Sequence, residues 1–165
     1  MDDLSTLKRN VLISVRPLYA KEIVEGRKTV ELRRKFPGTE AAGGTVVIYS
    51  SSPVRAVVAV ARIKSILYLP VPTIWRQHGS AACISKQAFD DYFCGCDKGF
   101  AVLLDKVTPL PRQLDATELK VAYGIVPPQS YRYLGGDCTG LLGDERVQTP
   151  HRYKRRDRAR RLEAC

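Results

Sequence analysis

The chain has 165 residues, of which 44% are hydrophobic, and its formal net charge is +10. This length and apolar fraction suit one domain with a core plus a terminal extension. No apolar run reaches roughly 18 residues, which argues against a membrane-spanning helix, and the N-terminal segment does not have the layout of a signal peptide. We therefore expect a cytoplasmic protein without a membrane partner. A basic protein attracts polyanions, so RNA is the expected partner and DNA the alternative.

Alternation of apolar and polar side chains predicts five strands. In chain order they cover residues 11–16, 28–33, 45–51, 54–66 and 100–107. The second strand, KTVELR, places Glu31 and Arg33 on one face and Val30 and Leu32 on the other. The fourth contains AVVAVA at residues 56–61, which is apolar on both faces, so we expect it to be buried on both sides.

Helices are predicted after the first strand and before the fifth. They cover residues 17–24, 72–78 and 85–94. Pro17 is tolerated at the first helical position, Gly26 supplies a stop, and Ser85 is expected to cap the third helix. Strands and helices in this order do not form a βαβ series, so they indicate an α+β fold built as a small barrel with helical insertions.

The last third of the sequence predicts less regular structure. Pro109 and Pro111 indicate a connector, and residues 117–123 a turn or a short helix. Residues 127–134, PPQSYRYL, predict a rigid segment with aromatic and basic side chains. Periodicity is lost after residue 136. We therefore predict a domain over residues 9–136 and a basic, flexible C-terminal tail over residues 137–165.

The five cysteines do not predict a disulfide framework, because their number is odd and no export signal is recognised. Cys94 and Cys96 form a C-x-C pair, and neither His78 nor His151 lies at the spacing of a zinc site. We expect reduced thiols, no metal site and no cofactor.

The second strand carries the strongest candidate site. Lys28 lies at its beginning, where its amine can reach the rim of a cleft and hold a phosphate or act as a base. Arg33 offers a planar fork to a phosphate, and Glu31 can accept a hydrogen bond from an exocyclic amine. The alternative is a surface charge pair between Glu31 and Arg33, worth ~0.2–1 kcal/mol.

Further binding candidates flank this strand. They are Arg16 before the first helix, Ser50 and Ser51 at the end of the third strand, and Tyr131 and Arg132 in the late aromatic segment. Serine hydroxyls at a strand end can donate to a ligand, although such a run also suits a turn. An aromatic face can stack on an unpaired base, and its alternative is packing onto the barrel.

The motif G-R-K-T-V-E-L-R at residues 26–33, together with SVRP (14–17) and IYSSSP (48–53), resembles the ASCH family. AACISKQAFDDYF (81–93) and PPQSYRYL (127–134) extend this resemblance, which covers about residues 11–134. It implies a half-open PUA-like β-barrel of about five to six strands, with a polar cleft proposed to bind RNA in translation or transcription. Some members hydrolyse N4-acetylcytidine, and nuclease activity is described for others.

In the amidohydrolase members the catalytic lysine lies in a similar G-R-K-T turn, which places it at Lys28. Their nearby threonine corresponds to Glu31, a departure from the pattern, and we identify no counterpart of their carboxylate.

Three functions therefore stay open. The first is an RNA-binding module using Arg16, Lys28, Glu31, Arg33, Ser50, Ser51, Tyr131 and Arg132. The second is a metal-independent amidohydrolase or ribonuclease with Lys28 and Glu31 as catalytic residues. The third is a DNA regulator using the helices at 72–78 and 85–94.

Overall fold

Six strands form one sheet in the computed structural model, which describes residues 10–135 and 139–147. The strands are β1 (Val11–Val15), β2 (Val30–Arg33), β3 (Thr45–Ser50), β4 (Ala56–Pro70), β5 (Lys98–Asp115) and β6 (Tyr131–Tyr133). The helices are α1 (Pro17–Val24), α2 (Val71–His78), α3 (Lys86–Phe93), α4 (Ala116–Tyr123) and α5 (Thr139–Gly143), with a 3-10 turn at Thr39–Ala41. The predicted α+β class is confirmed.

The strand order is β2-β5-β4-β3-β1-β6. β1 and β3 run parallel, while every other neighbouring pair is antiparallel. The register of β4 and β5 shifts at three points along their long pairing, and such bulges bend and twist a sheet. The sheet curves into a half-barrel whose two edges are β2 and β6. This confirms the half-open barrel expected from the sequence.

Apolar side chains pack on both faces of this sheet. One cluster contains Val11, Ile13 and Val15 from β1 with Ile23 of α1, and a second contains Leu12 of β1. A third cluster joins β2 to α2 and α3. Residues 56–61 of β4 divide their side chains between the first two clusters, so the prediction that this segment is buried on both sides is confirmed.

Two of the predicted helices form for the reasons that the sequence suggested. Helix α1 begins at Pro17, and Gly26 follows its end with a φ of +78°, a left-handed conformation that glycine adopts without strain. Helix α3 is capped by Ser85, whose Oγ accepts a hydrogen bond from the Ala88 amide at 3.1 Å.

The connector predicted around Pro109 and Pro111 is wrong, because β5 continues through both prolines to Asp115. In this part of β5, Pro109, Leu114 and Asp115 pair with β4, whereas β2 pairs with β5 only at residues 100–103. This part of β5 therefore has no β2 partner, and proline is tolerated where one edge of a strand needs no amide donor. The strand also begins earlier than expected, and β4 extends to Pro70.

Packing does not end at residue 136, where the predicted domain ended. Residues 139–143 form α5, and Leu141 and Val147 are buried in the second apolar cluster. The expectation of a flexible tail from residue 137 is therefore wrong for residues 139–147. These apolar side chains gain burial from tertiary contacts that local periodicity cannot reveal. The remainder of the predicted tail, residues 148–165, lies outside the described residues.

None of the helices within the described ranges is both long enough and apolar enough to cross a membrane.

Candidate functional site

A cleft of about 620 Å³ opens between β2, α1, α3 and the end of β1. Its size falls within the ~300–1,000 Å³ typical of ligand sites. Its lining is polar and apolar in comparable measure. The lining residues are Ser14, Val15, Arg16, Tyr19, Lys28, Glu31, Leu32, Arg33, Arg34, Ser51, Ile84, Ala88, Asp91, Tyr92 and Gln129.

The alternation of β2 places its charged side chains in this cleft. Val30 and Leu32 point into the apolar cluster beneath α3, so Glu31 and Arg33 point to the other face. The turn after α1 brings Lys28 in from the side, and its backbone amide donates to the Glu22 carbonyl of α1. One helix and one short strand therefore hold the three charged groups together.

Lys28, Glu31 and Arg33 form what we call the cleft ion network. The Lys28 Nζ lies 3.5 Å from Glu31 Oε2, and the Arg33 Nε lies 3.0 Å from Glu31 Oε1. The three side chains are only 4–8% exposed. Lys28 also donates a hydrogen bond to the Ala82 carbonyl at 2.8 Å, and its ammonium lies 5.2 Å from the Tyr19 ring centroid. Lys28 therefore lines the cleft, but its side chain is buried in the cleft wall and does not reach out at the rim.

Arg33 links the two sides of the half-barrel opening. From β2 at one edge, its NH2 donates to the Ser14 carbonyl of β1 at 2.7 Å, and its NH1 lies 3.4 Å from both oxygens of Ser130, just before β6. Its Nε makes no hydrogen bond within the described part of the chain, because the N–H is not directed at Glu31 despite the short distance. Arg33 thus connects β2 across the opening to β1 and to the residue before β6.

The charge of the cleft lining is unbalanced in favour of cations. Four lining side chains are cationic and two are anionic: Arg16, Lys28, Arg33 and Arg34 against Glu31 and Asp91. Burial strengthens the electrostatic effect of this excess positive charge, because charges interact more strongly where water is excluded. A partner carrying negative charge would neutralise the excess.

Most of the residues predicted for the site meet in this cleft. Arg16, Lys28, Glu31, Arg33 and Ser51 all line it. The surface ion pair considered for Glu31 and Arg33 is wrong, since both residues are buried.

Three candidates lie elsewhere. Ser50 is buried in β3, opposite Val15 in the sheet register. Tyr131 packs against Phe36, with ring centroids 5.7 Å apart, and neither it nor Arg132 lines the cleft.

Sequence reasoning did not assign a role to several lining residues. Tyr19, Arg34 and Tyr92 are the most informative of them, because aromatic and cationic groups border the opening together. The Tyr92 hydroxyl accepts a hydrogen bond from the Arg34 amide at 3.1 Å, and the Arg34 guanidinium lies 5.0 Å from the Tyr92 ring centroid. Tyr92 lies three residues after Phe89 on α3, a spacing typical of the core face of a helix, so the sequence gives no signal that Tyr92 borders a cleft.

Within residues 10–135 and 139–147, no three His, Cys, Asp or Glu side chains cluster closely enough to hold a metal ion. Cys83, Cys94 and Cys96 are free thiols.

Comparisons with known proteins assign this chain to a family. A model described as the ASCH domain matches residues 13–129. An ASCH domain-containing ribonuclease from Zymomonas mobilis is 37% identical over 136 residues, which are 82% of this chain and 90% of that protein. The crystal structure of ASCH from Zymomonas mobilis matches with a TM-score of 0.78 and 35% identity, covering 86% of this chain and 98% of that one.

A third similarity is partial. Large ribosomal subunit protein uL22 from Ureaplasma parvum is 29% identical over 125 residues, which are 75% of this chain but only 39% of that protein. The resemblance drawn from residues 11–134 is confirmed by the family match.

Proposed function

The chain belongs to the ASCH domain family, and we propose that it binds single-stranded RNA in the cleft and cleaves it there. The observation that carries the proposal is the surplus of cations on the cleft lining, two of which, Lys28 and Arg33, are almost fully buried. Phosphate groups supply the complementary charge, and arginine offers a fork that matches their geometry. The cleft volume suits one nucleotide-sized group rather than a duplex.

The similarity to known proteins supports RNA as the substrate. The Zymomonas protein named a ribonuclease aligns with most of both chains. The partial match to a ribosomal protein is consistent with an RNA partner, although it covers less than half of that protein. A free nucleotide phosphate would satisfy the same cations, so the distinction rests on experiment.

Cleavage would proceed by attack of an RNA 2′-hydroxyl on the adjacent phosphorus, with departure of the 5′-oxygen of the next nucleotide. Lys28 and Arg33 would hold the phosphate oxygens and stabilise the charge that develops on them. Glu31 would accept the proton of the attacking 2′-hydroxyl, and Lys28 would donate a proton to the departing 5′-oxygen. Because the two side chains are in contact, transfer of the proton from Glu31 to Lys28 would then restore both groups. Because the 2′-hydroxyl is a reactant, DNA would bind through its phosphates without being cleaved.

The test is product analysis with the full chain and end-labelled RNA and DNA of the same sequence. RNA cleavage is expected, and one 2′-deoxy substitution should abolish cleavage at that position. The proposed chemistry uses no metal ion, so cleavage should continue in excess chelator. Cleavage of both polymers alike would contradict the 2′-hydroxyl mechanism, and failure to bind RNA at low salt would contradict the proposal.

Lys28→Met tests the site itself, because the substitution removes the ammonium and leaves Glu31 paired with Arg33. We expect cleavage to fall at least ~100-fold, the scale of losing one charge-stabilising donor. Lys120→Ala is the matched control, since Lys120 is exposed on α4 away from the cleft. Equal rates in wild type and Lys28→Met would exclude Lys28 from the reaction.

The amidohydrolase alternative can be measured on the same samples. Glu31, which stands where the amidohydrolase members have a nearby threonine, is held between two cations in the cleft. Hydrolysis of N4-acetylcytidine by the wild type, without RNA cleavage, would favour that alternative over the ribonuclease.

A further inference from the structure

A row of four aromatic rings lies outside the cleft lining and ends at a solvent-exposed tyrosine. We call Tyr68, Phe100, Phe36 and Tyr131 the aromatic row. Successive ring centroids are 4.6 Å apart for Tyr68 and Phe100, 6.5 Å for Phe100 and Phe36, and 5.7 Å for Phe36 and Tyr131. Tyr68 at one end is 57% exposed, whereas Phe36 within the row is 6% exposed.

The sheet register connects this row to the cleft. Arg33 of β2 is paired with Phe100 of β5, and Phe100 is paired with Tyr68 of β4. Directly opposite residues in neighbouring strands project to the same face, so Arg33 and Tyr68 lie on one face two strands apart. Neighbouring strands are ~4.8 Å apart, so the backbones of Arg33 and Tyr68 lie about 10 Å apart across the sheet. Stacked nucleotides rise ~3.4 Å each, so this span corresponds to about three of them.

Packing in the core accounts for the aromatic residues inside the row, but it does not account for the exposed Tyr68 at its end. Phe36 and Phe100 belong to the first apolar cluster and cover one end of the half-barrel. Tyr68 adds little to that cover, because more than half of its surface faces solvent. The ammonium of Lys98 lies 5.5 Å from the Tyr68 ring centroid. A solvent-exposed tyrosine with a lysine ammonium near its ring can stack an unpaired base and attract the neighbouring phosphate.

We infer that Tyr68 and Lys98 form a second RNA subsite, which holds a nucleotide about three positions from the one in the cleft. The inference rests on the proposed RNA binding and adds to it a contact outside the cleft. The base stacks on the Tyr68 ring, and Lys98 contacts the neighbouring phosphate. The substrate is therefore an unpaired strand of several nucleotides rather than a free nucleotide.

The experiment compares affinities for a dinucleotide and an octanucleotide, both with 2′-O-methyl groups so that they bind without being cleaved. Wild type should gain affinity with length. Tyr68→Ala should lose at least about fivefold of that gain, the lower end of base–aromatic stacking. Tyr68→Phe keeps the ring and should retain the gain, while Lys120→Ala, outside both subsites, should leave it unchanged.

Abasic substitutions moved along the octanucleotide locate the stacked base. One position should cost affinity in wild type and cost nothing further in Tyr68→Ala. A full length-dependent gain in Tyr68→Ala would overturn this inference while leaving the cleft proposal intact. Failure of the wild type to bind either oligonucleotide would instead overturn the proposed function.

Discussion

Two ion networks lie on the two faces of the sheet. They differ in charge balance, and this difference distinguishes a candidate binding site from a network that only stabilises the fold. In the cleft ion network one carboxylate, that of Glu31, faces two buried cations beside an open cleft. In what we call the C-terminal network, Asp144 and Glu118 face Arg146 and Arg112. The second network is balanced in charge and lies beside Leu141 and Val147, which α4 helps to bury.

Each network uses its charges differently. Arg146 donates to Asp144 Oδ1 at 3.0 Å and Oδ2 at 2.8 Å, and the Tyr123 hydroxyl donates to the same carboxylate, so the C-terminal network is satisfied by its own members. The cleft ion network keeps one cation more than its carboxylate can neutralise. The balanced C-terminal network is sufficient to hold the C-terminal segment on the fold. The surplus positive charge buried in the cleft would be neutralised by an anionic partner.

The largest expected effect is on stability when the cleft carboxylate is neutralised. Glu31→Gln leaves Lys28 and Arg33 as buried, uncompensated cations, and breaking such a pair costs about 3–5 kcal/mol. Urea unfolding followed by the fluorescence of Trp75, the single tryptophan, measures the free energy of unfolding. Glu118→Gln is the matched control, since Glu118 is 35% exposed, and an equal loss in both variants would contradict the distinction.

A smaller loss is expected when the C-terminal network is cut. Asp144→Asn replaces a carboxylate that is 9% exposed but keeps one acceptor oxygen, so we expect the net loss of about one charge-assisted hydrogen bond, roughly 1.5–3 kcal/mol. The same unfolding assay measures the change, and RNA affinity should be unaltered at temperatures where the variant is folded. A large loss of RNA affinity in a folded Asp144→Asn variant would mean that the two networks are not separate.

Low pH should reduce the stability of the fold by protonating the Asp144 carboxylate. Hydrogen bonds from Arg146, the largest cause, and from Tyr123 hold the pKa of Asp144 well below its usual range, against the opposing effect of burial. A lowered folded-state pKa gives stability that is complete above the unfolded value of about 3.9 and is lost progressively as the pH falls below it. Unfolding free energies at pH 6, 5, 4 and 3 should fall less steeply for Asp144→Asn than for wild type below pH 4. Parallel curves would contradict this assignment.

The smallest effect is expected at the neighbour of Lys28 in the G-R-K-T turn. Arg27 is exposed and pairs with Glu22 and Glu25 on the outside of α1 rather than with the cleft. Arg27→Ala should therefore leave the melting temperature and the RNA affinity close to wild type, in contrast to Lys28→Met. A loss of RNA affinity equal to that of Lys28→Met would show that the turn acts through general charge and not through the cleft.

Much of the cleft was predictable because it depends on local alternation. The period of two in KTVELR places Glu31 and Arg33 together, and the Pro17 and Gly26 signals fix the helix beside them. The depth of Lys28 was not predictable, since its partner Ala82 lies 54 residues away. The exclusion of Tyr131 from the cleft has the same origin, because its ring meets Phe36 from a distant segment.

Two errors in the fold have related causes. Proline is a strong local signal for a connector, but Pro109 and Pro111 lie where β2 no longer accompanies β5. Leu141 and Val147 stand among glycine and charged residues without periodicity, and only contacts with α4 and the sheet reveal their burial. Local sequence patterns predict which faces of a strand or helix are apolar. Contacts between segments that are distant in the chain determine which of these faces are buried.

The central claim is that the surplus cations of the cleft bind RNA phosphates. Its most direct test is the salt dependence of RNA affinity, measured by fluorescence anisotropy with a 2′-O-methyl oligonucleotide for wild type, Lys28→Met and Lys120→Ala. Each lost phosphate contact on a single strand lowers the slope of log affinity against log salt by ~0.7. We predict that reduction for Lys28→Met and none for Lys120→Ala. Identical slopes in wild type and a folded Lys28→Met variant would contradict the claim.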